Sequence, residues 1–179
     1  MALGKLIAGK LGFGTAPLGN MFRDIPEAEA RATVDAAWND GIRYFDTAPH
    51  YGLGLSERRL GAALADRPRG AFVLSTKVGR LLVPNETPTG TDLAHQFAVA
   101  DDLRRHQDYT AAGVRRSLEE SRRFAGMVAS TASSGGDPCL EPGSLPTDVR
   151  LISQFLIGGV VSTMGAAVCA RTSSMTRRW

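Results

Sequence analysis

Three short segments of this chain are rich in apolar and β-branched or aromatic residues and have the length of β-strands. They lie at Leu11–Gly19, where a first strand leads into a loop, and at Ile42–Thr47 and Ala71–Lys77. Segments with helical periodicity fill the two intervals between them. The order strand, helix, strand, helix, strand predicts a parallel sheet built from βαβ units, and therefore an α/β fold.

The first predicted helix begins near Asp24–Glu27, where Pro26 suits the first turn, and ends at Gly41, which suits a left-handed residue. Four of its residues recur at helical spacing and predict one buried face: Ala30, Val34, Ala37 and Trp38. The second predicted helix starts with Ser56 as its N-cap and runs to about Ala65.

The segment Gly79–Asp108 shows no clear periodicity and is predicted to be a long loop on the rim where the third strand ends. A third helix is then predicted, with Thr110 as its cap and apolar residues at Ala111, Val114 and Leu118. Its next core position falls at Ser121 or Arg122, and neither is apolar. The amphipathic pattern ends there.

The amino-acid composition of the chain changes after Ser121. Residues 129–136 are rich in serine, glycine and alanine, several prolines follow, and no strand follows the third helix at the expected distance. We therefore expect two parts, 1–121 and a divergent tail at 122–179 that is poorly specified or disordered. Because the tail is rich in Ser, Thr, Gly, Ala and Arg and lacks Lys, a reading-frame shift or a gene truncation is the predicted origin.

An apolar run at Leu151–Ala170 approaches the ~20 residues that span a bilayer. Its polar interruptions and glycines favour a buried helix or unstructured sequence over a membrane segment. A small membrane-associated or interaction protein stays an alternative for this reason. Cys139 and Cys169 are far apart and predict neither a metal site nor a redox motif.

Composition narrows the classes of function further. The net charge of +3 is mild and no basic stripe with interleaved aromatics occurs, so nucleic-acid binding is not expected. The N-terminus lacks the features of a secretion signal, which predicts a cytoplasmic protein. Five arginines are expected on solvated faces: Arg43, Arg58, Arg59, Arg115 and Arg116. The oligomeric state is not predicted.

Reactive side chains follow the second and third predicted strands. Asp46 and Tyr51 come at and after the end of the second strand, and Lys77 ends the third. The carboxyl ends of parallel strands meet at one edge of a sheet, which is where ligands bind in such sheets. An acid, a phenol and an amine at this edge suit proton transfer to or from a carbonyl group.

Longer stretches around these residues resemble the aldo-keto reductase family, and within it bacterial aldose, L-fucose and pyridoxal dehydrogenases. The specific matches are Gly41–Gly52 followed by Leu55–Gly61, and Leu74–Gly79; Leu11–Ala16 and Asp108–Ser121 support them. The resemblance covers about the first two thirds of the chain. It implies a (β/α)₈ barrel that binds NAD or NADP and moves hydride to or from a small-molecule aldehyde, ketone or sugar.

The resemblance also implies roles for individual residues. Tyr51 matches the catalytic proton donor, Lys77 the residue that tunes it, and Asp46 the acid that pairs with the lysine; His50, beside Tyr51, is a candidate substrate contact. The family's catalytic histidine, at the end of the fourth strand, has no matching position, and neither do the nucleotide-binding elements of the last strands. At 179 residues the chain is also shorter than the ~250 of a complete barrel. We therefore expect an incomplete N-terminal part of a barrel, and an inactive truncated or frame-shifted remnant is the alternative to an enzyme.

Overall fold

The computed structural model describes residues 11–126, and beyond them the backbone of two short strands at 154–157 and 160–163. Three strands and two helices alternate at the start: β1 (Phe13–Gly14), α1 (Glu27–Asn39), β2 (Tyr44–Asp46), α2 (Leu55–Leu64) and β3 (Val73–Ser75). The strands form a parallel sheet in the order β1-β2-β3. The predicted α/β order is therefore confirmed.

Helix α1 follows the local signals in its sequence. Pro26 immediately precedes the helix and Glu27 lies in its first turn, where a carboxylate interacts favourably with the helix dipole. Gly41 follows with φ +88°, a conformation that suits glycine and ends the helix. Ala30 and Val34 are each 1% exposed, so the predicted buried face packs on the sheet.

Phe45 in the central strand is the middle of the core. Its side chain is fully buried, and its ring meets Phe13 at 6.1 Å and Phe72 at 6.4 Å, both edge to face. Leu60 of α2 and Val34 of α1 belong to the same buried cluster. The two helices and the sheet therefore share one core.

The predicted N-cap role of Ser56 is wrong. Helix α2 begins at Leu55 after Gly54, which has φ +80°, and Ser56 is fully buried in the first turn. The Ser56 hydroxyl donates to the backbone oxygen of Thr15 at 2.7 Å and lies 3.1 Å from the Thr47 hydroxyl. It therefore joins α2 to the ends of β1 and β2.

The predicted long loop at Gly79–Asp108 is also wrong in part, because its two ends pair as an antiparallel hairpin. Strand β4 (Arg80–Pro84) pairs with β5 (Leu103–Gln107), with Leu81 opposite His106. Leu81 is 2% exposed, whereas β5 carries a run of polar side chains. A strand with so little apolar sequence gives no alternating pattern to recognise.

Helix α3 (Ala111–Phe124) begins as predicted, because the Thr110 hydroxyl accepts a hydrogen bond from the Gly113 backbone nitrogen at 3.1 Å. The helix continues past residue 121, and the Ser121 side chain is buried in it. The predicted next core position is therefore occupied by a small polar residue. The division into parts at 121 and 122 stays a prediction.

Within the tail, strands β6 (Gln154–Ile157) and β7 (Val160–Thr163) pair antiparallel. The expectation of a buried helix or unstructured sequence across Leu151–Ala170 is therefore wrong for these two stretches. Cys139 and Cys169 lie outside the described residues. Over the described part of the chain, no helix has the length and apolar character needed to cross a membrane.

We predict that Gly61→Ala destabilises the protein, because Gly61 of α2 lies against the chain just after α3. A Cβ there would lie 2.3 Å from the Ala125 carbonyl oxygen and 2.6 Å from its Cα. These backbone atoms can only yield if the helices separate, so we expect the free energy of unfolding to fall by about 1–3 kcal/mol. Urea unfolding followed by circular dichroism measures it.

Gly70→Ala is the matched control, because no atom lies within 4 Å of a Cβ at that position. We expect its free energy of unfolding to stay within about 0.5 kcal/mol of the parent chain. Equal effects of the two alanines would show that α3 does not pack closely on α2.

Candidate active site

The register between β2 and β3 brings an acid and an amine together. Asp46 is opposite Ser75 in the parallel ladder, and Lys77 follows two residues later at the same edge. The Lys77 ammonium donates to Asp46 Oδ2 at 2.7 Å and to the Thr47 carbonyl oxygen at 3.2 Å. Two predicted site residues are thus in direct contact.

The environment of Lys77 keeps its ammonium charged. Burial lowers the pKa of Lys77, but the hydrogen bond and the negative charge of Asp46 outweigh burial, and Tyr51 adds to their effect. The net result is a pKa above the ordinary value for lysine. A cation therefore stays at this edge of the sheet at neutral pH.

The second oxygen of the Asp46 carboxylate is also held. Asp46 Oδ1 accepts a hydrogen bond from the Ser75 hydroxyl at 2.7 Å, and Ser75 is fully buried. The Tyr44 hydroxyl lies 3.1 Å from the Ser75 oxygen. Because both carboxylate oxygens have partners, the orientation of Asp46 toward Lys77 is fixed.

Tyr51 lies beside this pair on the loop between β2 and α2. The Lys77 nitrogen is 4.9 Å from the centroid of the Tyr51 ring. A Cβ on Gly19 would lie 2.6 Å from the Tyr51 carbonyl carbon, so the backbone of the loop before α1 passes directly against Tyr51. The structure therefore brings Asp46, Tyr51 and Lys77 to one rim; their catalytic roles stay a prediction.

His50 points its ring into the hairpin. Its centroid lies 5.4 Å from Phe97, 6.0 Å from His95 and 6.3 Å from Tyr51. His50 is only partly exposed, and its Nδ1 atom is buried without a hydrogen-bond partner among the described residues. His50 thus lies beside Tyr51, and its role as a substrate contact stays a prediction.

The pKa of the His50 imidazole is lowered to about 4. Burial is the largest cause, and the positive charges of Arg105 and Arg80 add to it, whereas the negative charge of Asp92 opposes it. The ring is therefore neutral at neutral pH.

The sequence did not predict the burial of two polar residues of α2. Arg59, expected on a solvated face, is 8% exposed and donates to the Leu18 carbonyl oxygen at 2.8 Å and to Asn20 Oδ1 at 2.6 Å. Glu57 is fully buried and accepts from the Thr76 hydroxyl at 2.7 Å; burial raises its pKa. No hydrophobic pattern signals them, because α2 is buried on almost every side.

We predict that His50→Gln makes the stability of the protein less sensitive to acid. The ordinary pKa of histidine is about 6.5, and the pKa of His50 in the folded protein is about 4. Between these two pH values, His50 binds a proton in the unfolded chain but not in the folded protein. Stability therefore falls as pH falls through this window. In His50→Gln, the free energy of unfolding should therefore fall by about 1–2 kcal/mol less on acidification than in the parent chain. This is less than the full pKa shift would give, because the ring is partly solvated. Urea unfolding near pH 7 and about pH 4.5 measures the difference.

His106→Gln is the control, because it removes an exposed histidine of β5. An acid sensitivity for His50→Gln equal to that of the parent chain would contradict the buried, neutral state of His50.

Comparisons with known proteins identify the family of this chain. The model of the aldo/keto reductase family matches residues 10–127 of the 179. The D-threo-aldose 1-dehydrogenase of a Pseudomonas species is 56% identical over 119 residues, which are 65% of this chain and 36% of the relative. The pyridoxal 4-dehydrogenase of Microbacterium luteolum is 40% identical over 135 residues, 70% of this chain and 39% of the relative.

Among solved structures, the holo form of an aldo-keto reductase from Bacillus halodurans is 31% identical, with a TM-score of 0.47 over 65% of this chain and 32% of that one. This chain therefore spans less than half the length of the relatives it matches. The described α/β unit is an incomplete, N-terminal part of a (β/α)₈ barrel, as predicted. Because the family model matches most of its residues, the chain belongs to the aldo/keto reductase family.

Proposed function

We propose that this chain carries the acid–base part of an NAD(P)-dependent oxidoreductase that acts on an aldehyde, a ketone or a sugar. The observation that carries the proposal is the Lys77–Asp46 pair, with an N–O distance of 2.7 Å, beside the Tyr51 ring. Both charged side chains keep about a quarter of their surface exposed. A substrate oxygen can therefore approach the pair from solvent.

Tyr51 is the proposed proton donor. When a carbonyl group is reduced, its oxygen gains negative charge, and the Tyr51 hydroxyl gives that oxygen its proton. The Lys77 ammonium stabilises the phenolate that remains, because an opposite charge nearby favours the charged form. Asp46 holds the ammonium in place. In the oxidative direction, the same phenolate takes the proton from the alcohol.

The hydride chemistry belongs to the nicotinamide cofactor, NAD or NADP, that the family implies. The described residues fit the proton transfer. At the rim, the Lys77 ammonium is bonded to Asp46 and the Arg105 guanidinium to Asp92, so neither of these two cations is an unpaired charge for the cofactor's phosphates. We assign no phosphate contact to residues 11–126.

The substrate class rests on family membership and on the names of the two relatives, an aldose dehydrogenase and a pyridoxal dehydrogenase. His50 stays a proposed substrate contact, because it is partly exposed beside Tyr51. A small molecule that carries a carbonyl or hemiacetal group fits a rim whose reactive groups are one phenol and one ammonium.

An active enzyme requires saturable binding of NADH or NADPH to the purified chain, which quenching of protein fluorescence measures. With L-fucose or pyridoxal as the probe substrate, Tyr51→Phe should lower kcat/KM on the order of 100- to 10,000-fold, the usual contribution of a general acid. Cofactor affinity should stay the same, because the change removes only the hydroxyl group.

Tyr109→Phe is the matched control, because it removes the same group from an exposed tyrosine on the segment before α3. Lack of saturable binding of either cofactor would reject an active enzyme, and the inactive remnant would then replace it. Equal rates for the two phenylalanine variants would reject Tyr51 as the proton donor.

A further inference from the structure

The β4–β5 hairpin contains a buried ion pair next to the loop that carries His50 and Tyr51. Arg105 of β5 donates to both carboxylate oxygens of Asp92, at 2.7 and 2.5 Å. The two side chains are only 10% and 5% exposed. Asp92 Oδ1 also lies 2.8 Å from His95 Nδ1. A bidentate pair of this kind fixes the direction of the guanidinium group.

The same guanidinium reaches the backbone next to Tyr51. Arg105 Nη2 donates to the His50 carbonyl oxygen at 2.9 Å, across 55 residues of sequence. The nitrogen of that peptide group belongs to Tyr51. Because a peptide group is planar, a hydrogen bond that holds the His50 oxygen also fixes the orientation of the backbone at the Tyr51 nitrogen.

The connection between β4 and β5 contributes a second contact. Phe97 is 3% exposed, and its ring lies 5.4 Å from His50 and 6.3 Å from Tyr51. Phe97 forms a backbone bridge with Met21, and the Ala98 nitrogen donates to the Asn20 oxygen at 2.9 Å. The ring against Tyr51 is therefore attached to the loop before α1.

Backbone conformation also points to a constrained rim. Four non-glycine residues have positive φ in the described chain, and they lie in the three loops that meet here: Asn20, Phe22, Leu53 and Gln96. Such conformations cost energy and persist where the surroundings over-determine them, often at functional sites. The Phe22 nitrogen donates to the Gln96 oxygen at 2.8 Å, which joins two of these residues.

We propose that Asp92 and Arg105 are positioning residues for Tyr51. Asp92 fixes the direction of the Arg105 guanidinium, and this group holds the His50 carbonyl. Phe97 packs against the Tyr51 ring. The Tyr51 phenol therefore stays beside the Lys77 ammonium. The hairpin thus forms one wall of the site. The catalytic consequence rests on the proposed function, whereas the effect on the position of Tyr51 does not.

The position of Tyr51 can be measured without turnover. The chain has three tyrosines, so uniform labelling with 3-fluorotyrosine gives a simple fluorine NMR spectrum, and Tyr51→Phe identifies the Tyr51 signal. We expect Arg105→Met to shift and broaden that signal, with the Tyr44 signal unchanged. Arg104→Met is the matched control, because Arg104 is the exposed neighbour on β5, opposite Val83. It should leave all three signals in place.

Arg105→Met leaves the Asp92 carboxylate buried without its cation, which can destabilise a protein enough to unfold it. The double variant Asp92→Asn with Arg105→Met therefore removes both charges. We expect this double variant to fold and to shift the Tyr51 signal as well. An unchanged Tyr51 signal in either folded variant overturns the proposal. Loss of all native signals in both variants also overturns it, because the pair would then be required for folding itself.

Kinetics separate this inference from the proposed function. If the parent chain turns over L-fucose or pyridoxal, Arg105→Met should lower kcat about 10- to 100-fold, as expected for a displacement of about 1 Å. The KM for the cofactor should stay the same, and Arg105→Lys should recover part of the rate. If the parent chain does not turn over, the proposed function fails, and the fluorine spectrum still decides the positional claim. Equal kcat values for Arg104→Met and Arg105→Met would contradict the positioning role of Arg105.

Discussion

The site depends on the parallel register between β2 and β3. Pairing of Asp46 with Ser75 places Lys77 just beyond the ladder and within 2.7 Å of the Asp46 carboxylate. A shift of one residue would turn these side chains to the opposite face of the sheet. Phe45 and Leu74 secure the register from the other face, since both are buried in the core. The same hydrophobic packing that forms the sheet therefore creates the ion pair.

Polar side chains inside the unit connect this sheet to its helices. The buried Ser56 hydroxyl bonds to Thr15 at the end of β1, and the Arg59 guanidinium binds carbonyl oxygens of the loop before α1, including those of Leu18 and Ile25. Buried polar groups are stable only when they are satisfied. Helix α2 therefore fits this sheet in one position, which places the Tyr51 loop between them.

Local sequence signals predicted those parts of the fold that local interactions determine. The positions of the second and third strands, the cap at Thr110 and the left-handed Gly41 all follow from neighbouring residues, although the third strand ends at Ser75 and not at Lys77 as predicted. The role of Ser56 and the burial of Arg59 depend on partners about 40 residues away. The hairpin was missed because β5 is polar and gains its stability from pairing with β4 and from contacts at the rim. The candidate site was predictable because its residues adjoin strand ends; the wall formed by the hairpin was not.

Two ion pairs flank Tyr51, and their exposure differs in a way that suits different tasks. The Lys77–Asp46 pair keeps about a quarter of each side chain exposed, whereas the Arg105–Asp92 pair is almost fully buried. A pair that must respond when a proton moves needs access to the substrate. A pair that only fixes geometry gains from burial, because a low dielectric strengthens each hydrogen bond and solvent cannot compete for it. The difference in burial therefore agrees with the two proposed roles, proton transfer beside the Lys77–Asp46 pair and positioning by the Arg105–Asp92 pair.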